Sequence, residues 1–347
     1  MFPHRPPGFS FLGYAPVPYR PKDWPSPVSE RAGHRSRAEP GSARRPAHRA
    51  PRERGTGQTR PPAPFKICSR ADGRRNGAAG GGQGTSVNEA GRPKRRRISS
   101  ARIYNESIGA RSGTSADLAV LGALDEAMQL RGMPGVENRS FLVRAVDYLA
   151  RQGVGQFLDI GVGLPAWGNV YQVARRHRPD AAVACVDHDL EVVAAWREIA
   201  AEHEPMRSVY ADVRRPREIL EHPEVRAVID FDRPVGLLLT AVLHLVGVEH
   251  DQRKIVRTLT DALPSGSHLV LSHVSDQRQP AEAFERVRRI VESAGSAFTV
   301  TSPGQVAEMF GGLELVEPGL VMVEDWRPVR ATRRSAGWYI GGVGRKP

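Results

Sequence analysis

Apolar positions change their spacing along this chain, and from about residue 98 onwards the change becomes regular. Over 116–131 and 137–152 they recur as on a helix. In the second stretch Phe141, Leu142, Ala145, Tyr148 and Leu149 stand at i, i+1, i+4, i+7 and i+8, which is one helical face. Gly132-Met133-Pro134-Gly135 predicts the break between the two helices. Short apolar runs then alternate with helical patterns. Strands are predicted at 156–160, 181–186, 208–210, 234–244 and 268–273. Helices are predicted at 165–177, 191–203, 216–221 and 251–262, Pro165 suiting a first-turn position. The run Val235-Gly236-Leu237-Leu238-Leu239 lacks polar alternation, as a strand covered on both faces should. Segments 313–324 and 337–343 are strand-like with no helix between them, which predicts an antiparallel C-terminal edge pair. Seven strands interleaved with helices imply an α/β fold with a mostly parallel, doubly wound sheet and N-terminal helices.

Charge divides the chain differently. The formal net charge is +12, yet residues 1–100 hold 21 of the 50 Lys and Arg and only 6 of the 38 Asp and Glu. The remainder is close to neutral. The same hundred residues hold 15 of the 28 prolines and the run Gly80-Gly81-Gly82, a composition that cannot bury enough apolar area to offset chain entropy. Residues 1–97 are therefore expected to be a disordered basic tail, densest at Pro93-Lys94-Arg95-Arg96-Arg97, with a helical cap segment at 98–152 and the ligand-binding sheet domain at 153–347. The tail reads as a tether for nucleic acid, as a solvated segment without a partner, or as the product of a start codon placed upstream of a true start near Val87. The last two readings fit better, so nucleic acid is an expected partner only through the tail. Two cysteines, Cys68 and Cys185, give neither a disulfide framework nor zinc-ligand spacing, which fits a reducing cytoplasm. No window approaches a membrane span, and the sequence leaves the oligomeric state open.

Candidate chemistry centres on Phe157-Leu158-Asp159-Ile160-Gly161-Val162-Gly163-Leu164-Pro165, between the first predicted strand and helix. Gly161 and Gly163 let the backbone approach a ligand closely. A dinucleotide fingerprint requires G-x-G-x-x-G, and Ala166 at the last position is a tolerated variant, so spacing alone leaves NAD open. Asp159 decides against it. A carboxylate before the glycines opposes a pyrophosphate but suits the ammonium of S-adenosylmethionine (SAM), which carries no phosphate. Asp187, ending the second strand, is placed to accept hydrogen bonds from ribose hydroxyls, and Asp212, after the third, to meet the adenine amino group. Each acid also suits a cap or loop role.

At these residues the chain resembles a bacterial family of class I SAM-dependent methyltransferases whose acceptors are largely unassigned. The resemblance covers roughly 100–346. It rests on Ala101-Arg102-Ile103-Tyr104, Asn138-Arg139-Ser140-Phe141-Leu142, the glycine turn, Val186-Asp187-His188-Asp189, Asp230-Phe231-Asp232-Arg233-Pro234-Val235, Ala241-Val242-Leu243-His244, Leu269-Val270-Leu271-Ser272-His273 and Gly341-Gly342-Val343-Gly344-Arg345-Lys346. It implies a Rossmann-like class I methyltransferase fold, SAM as cofactor, and an N-terminal segment near that cofactor. Tyr104 of that segment stands either to close over the cofactor or simply to pack. The family's D-Y-x-L-G-G-K-D-N stretch is replaced by 105–113, Asn105 to Gly113, which puts turnover more in question than binding.

Methyl transfer from a sulfonium is an in-line displacement that needs positioning, dryness and, for some acceptors, a base. His244 and His273, near the ends of the fourth and fifth strands, are the candidate bases or acceptor-orienting groups; a structural role suits either equally. His244, His250 and Asp251 fit no common metal pattern, so no metal is expected. The leading expectation is a SAM-dependent methyltransferase acting on a small molecule. Behind it stand a SAM-binding protein without turnover, an NAD(P)-dependent oxidoreductase, and a nucleic-acid methyltransferase, the last without an Asn/Asp-Pro-Pro-Tyr/Phe motif.

Overall fold

The computed structural model describes residues 97–130, 133–329 and 335–347; the expectations for the tail lie outside the described residues, save Arg97 itself. Three helices lead: α1 (Ser100–Ser107), α2 (Ser115–Met128) and α3 (Met133–Arg151). Thr114 and Asp117 form a capping box that starts α2, and Gln129 ends it with a φ of 58°. The Met133-Pro134-Gly135 stretch, expected to separate two helices, instead opens α3. Pro134 sits in the first turn, where no N–H is needed.

The α/β part follows as β1 (Gln156–Ile160), α4 (Val170–Ala174), β2 (Ala182–Asp187), α5 (Leu190–Ala200), β3 (Met206–Tyr210), α6 (Pro216–Glu221), α7 (Pro223–Arg226) and β4 (Gly236–Thr240). It continues through α8 (Gln252–Asp261), β5 (His268–Val274), α9 (Ala281–Ser293), α10 (Pro303–Glu308), β6 (Glu314–Leu315), β7 (Val321–Met322) and β8 (Tyr339–Arg345). One sheet runs in the order β3-β2-β1-β4-β5-β8-β6, with β7 also on β8. β1 to β5 are parallel, and β8 runs antiparallel to β5. The sheet therefore has seven positions. The last is shared by two short strands, because Pro318 has no N–H to give a ladder and Gly319 turns at a φ of 88°.

Two departures from the predicted elements have plain causes. The helix expected over 165–177 is only Val170–Ala174. Gly168 has a φ of 68°, and the Asn169 side chain accepts the Ala166 N–H, so 164–169 forms a turn. Helix α9 was not anticipated, although Ala283, Phe284 and Val287 carry its buried stripe.

Both sheet faces are covered. On one, Leu158, Ile160, Leu237, Leu239, Leu269 and Leu271 pack with α6, α8 and α10. On the other lies α3, whose Leu149 comes so near Gly236 that an added Cβ would stand 3.0 Å from it. Several quoted motifs turn out to build this frame. Buried Gln156 accepts the Asp230 N–H and donates to the Asp230 and Arg233 carbonyls, which pins the loop before β4. Lys346 donates to the carbonyls of Thr260 and Leu263, capping the end of α8 with a cation. Among the described residues no helix is long and apolar enough to cross a membrane.

Candidate functional site

A cavity of about 1040 Å³ opens beyond the carboxyl ends of the parallel strands. Asp159 and Gly161 reach it from β1, Asp187 from β2, Thr240 from β4 and Val274 from β5. Tyr104 of α1, Leu121, Leu124 and Met128 of α2, and Val287 and Val291 of α9 close it from above the strand ends. In an open parallel sheet the strand ends are where ligands settle, because the connections diverge there.

Asp159 is 4% exposed, lines this cavity, and has no hydrogen-bond donor among the described residues. Burial and the nearby Asp187 carboxylate push its pKa up to about 7, against a lowering influence from Arg139. A carboxylate so placed lacks a cationic partner in direct contact. Arg139, which the sequence reading did not single out as a site residue, lines the same wall. It is 5% exposed; its Nε donates to the Trp167 carbonyl and one Nη to Asn169 Oδ1, both at 2.9 Å. The cavity wall thus carries both a buried carboxyl and a buried guanidinium.

The glycine turn is held from within. The N–H groups of Gly161 and Val162 both donate to the Val186 carbonyl, and that of Gly163 donates to Asp187 Oδ2 at 3.0 Å. Trp196 Nε1 donates to the Gly163 carbonyl. The N–H groups that would otherwise face a pyrophosphate are already committed, so the turn is shaped for a ligand without one. Asp187 also accepts the Asp189 N–H and lies on the cavity wall, so both of its oxygens are partly used. Asp212 is elsewhere: its carboxylate grips the Arg214 guanidinium and is not among the cavity-lining residues. Arg214 holds its pKa below the ordinary carboxylate value.

Tyr104 is on the wall, its hydroxyl donating to the Gly135 carbonyl at 3.3 Å and accepting from Asn138 Nδ2 at 3.0 Å. The unusual 105–113 segment holds itself together. Glu106 Oε1 accepts the N–H groups of Ser112 and Gly113, and Asn105 donates to Ser112. It contributes Ser107 to the cavity wall.

The two histidines part company. His244 lies in a short 3₁₀ turn, Leu243–Leu245, beyond β4, and lines the cavity. His273 is wholly buried and is not on the wall. Its Nδ1 meets the Val274 carbonyl at 2.8 Å and its Nε2 the Gln252 Oε1 at 3.0 Å. His250 stands beside Glu249, and Asp251 caps α8; among the described residues no cluster of ligands able to hold a metal ion forms.

Comparison with known proteins follows the same line. A family model described as S-adenosyl methyltransferase matches residues 89–347. A candidate methyltransferase of solved structure from Thermobifida fusca is 35% identical, covering 72% of this chain and 95% of its own, with a TM-score of 0.68. A DUF574 family protein from Streptomyces avermitilis is 36% identical, covering 72% of this chain and 98% of its own, with a TM-score of 0.69. No curated protein matches.

Proposed function

We propose that this chain, which belongs to the S-adenosyl methyltransferase family and takes SAM as its methyl donor, methylates a small molecule enclosed beneath α2 and α9. The observation that carries the reading is that one cavity is lined both by the charged pair Asp159 and Arg139 and by apolar side chains of α2 and α9, with Asp125 of α2 also on the wall. The charged pair fits an amino acid. Asp159 would take the ammonium of SAM and Arg139 its carboxylate, while Asp187 would receive the ribose hydroxyls and Tyr104 would cover the site. Bound there, SAM supplies a methyl carbon made electrophilic by the sulfonium. The protein's own part is to orient the donor, exclude water and hold the acceptor in line. An enclosed apolar chamber suits a small acceptor better than a nucleic acid.

Calorimetry with SAM, S-adenosylhomocysteine and NAD tests the donor site. The first two are expected to bind at one site per chain and NAD not at all; NAD binding with no response to the adenosyl compounds would overturn the assignment. Gly161→Ala is expected to abolish SAM binding. Gly161 has a φ of 74°, and an added Cβ would stand 2.4 Å from Val242 Cγ2, so the turn cannot keep its shape. The same titration on that variant is the check.

A further inference from the structure

Resting on that reading, we infer that the apolar part of the cavity takes an uncharged, largely apolar acceptor whose single hydroxyl is held by His244. The side chain is 6% exposed and lines the cavity, and neither ring nitrogen has a hydrogen-bond partner among the described residues. Nδ1 is sealed from the cavity, which leaves Nε2 as the nitrogen that a ligand hydroxyl can reach.

The surroundings narrow the chemistry. The ring meets Tyr339, His273 and Phe298 edge-on, with centroids 5.5, 6.1 and 6.1 Å away. Val274, Phe298 and Trp338 form an apolar cluster with Leu124, Met128 and Val291. Burial and His273 push the pKa of His244 down to about 3, so the ring is neutral in the ligand-free protein. Asp125 of α2 also lines the cavity, but a cationic acceptor would be repelled by the sulfonium. An anionic one would find no cation in the cluster. A neutral imidazole instead receives an O–H.

The turn carrying the ring is fixed. Gln252 Nε2 donates to the carbonyls of Leu243 and Val246 at 3.0 and 3.2 Å, and the Thr299 N–H donates to the His244 carbonyl at 2.8 Å. The step balances without another reagent. The acceptor oxygen gains the methyl group, the C–S electron pair leaves with the sulfur as S-adenosylhomocysteine, and the hydroxyl proton is released to solvent. His244 accepts the hydroxyl hydrogen bond and holds the oxygen in line without itself becoming charged.

The test titrates protein loaded with S-adenosylhomocysteine with 2-naphthol, naphthalene, 2-naphthoate and 2-naphthylmethylammonium. 2-Naphthol should bind at least tenfold tighter than the other three, and mass spectrometry with SAM should find its methyl ether. His244→Ala should lower 2-naphthol affinity about tenfold, the worth of one buried hydrogen bond, and leave S-adenosylhomocysteine affinity unchanged. Val291→Phe, which narrows the chamber from α9, should exclude 2-naphthol and also spare S-adenosylhomocysteine; it serves if His244→Ala does not fold. Binding of 2-naphthol no tighter than naphthalene, a preference for either ion, or undiminished 2-naphthol affinity in folded His244→Ala protein overturns the inference. If S-adenosylhomocysteine itself fails to bind, the donor reading falls separately, and titration of the free protein with the same four compounds still decides this one.

Discussion

Replacing Asp159 with Asn should weaken SAM binding roughly a hundredfold, the upper range for a hydrogen bond to a charged group, while making the ligand-free protein more heat-stable at neutral pH. The two effects have one cause. Asp159 is buried without a donor, and its pKa stands at about 7 against an ordinary 3.8. A carboxyl whose pKa is raised by folding adds stability that is fully present below the unfolded value and is lost as pH rises through the folded one. Between about pH 4 and 7 the empty protein should therefore lose stability as pH rises, and the Asn variant should not show that component. SAM brings the missing cation. The proton and the ligand ammonium compete for the same oxygens, so wild-type affinity should fall about tenfold per pH unit below pH 7 and level off above it. Calorimetry from pH 5.5 to 8.5 reads the slope, and thermal melts of the empty variant read the stability. Equal affinity for wild type and variant would remove Asp159 from the donor site.

The place of Asp159 on the cavity wall was legible from the sequence because it depends on one local fact, an acid ahead of two glycines at a crossover. The parallel strands were legible for a similar reason, since burial on both faces leaves an unbroken apolar run such as Leu237-Leu238-Leu239. What failed to show depended on contacts between distant segments. Arg139 sits in a helical motif, and only the fold brings it to the Trp167 carbonyl and Asn169, beside the cavity. His273 and His244 looked equivalent at their strand ends, yet His273 points at Gln252, 21 residues away, and leaves the wall to His244. Asp212 followed a strand as expected of an adenine partner, but Arg214, two residues on, occupies its carboxylate. Helix α9 had a readable stripe. Its importance was not readable, because it lies in the packing of Val287 and Val291 against Leu124 and Met128 of α2 beside the cavity.

Asp117→Ala should be the most damaging single change outside the cavity, costing about 3–5 kcal/mol, as expected when one partner of a buried ion pair is removed. Asp117 is fully buried and receives the Arg102 Nε at 2.6 Å, the Ser99 N–H at 2.9 Å, and the N–H and hydroxyl of Thr114. Arg102 also reaches Glu191 at 2.5 Å, and Ser99 donates to Asp189. Through these bonds α1 is tied to α2 and to the start of α5, which places Tyr104 on the cavity wall. Without the carboxylate Arg102 keeps Glu191, which is a third exposed, and the Arg97 carbonyl, but loses its buried counter-charge. The melting temperature should drop by roughly 6–20 °C, taking about 2–4 °C per kcal/mol for a domain of this size. SAM affinity should fall as well, since α1 covers the donor end. The pH signature is opposite to that of Asp159. The donors hold the Asp117 carboxylate well below its ordinary value of 3.8, so its contribution is present above that value and lost as pH falls further. The double substitution Arg102→Met with Asp117→Leu separates charge from packing, because replacing a buried pair by apolar residues is often neutral. Recovery of the melting temperature in the double variant is the expected outcome. A double variant as unstable as Asp117→Ala would show that the hydrogen bonds from Ser99 and Thr114, and not the ion pair, hold the cap in place.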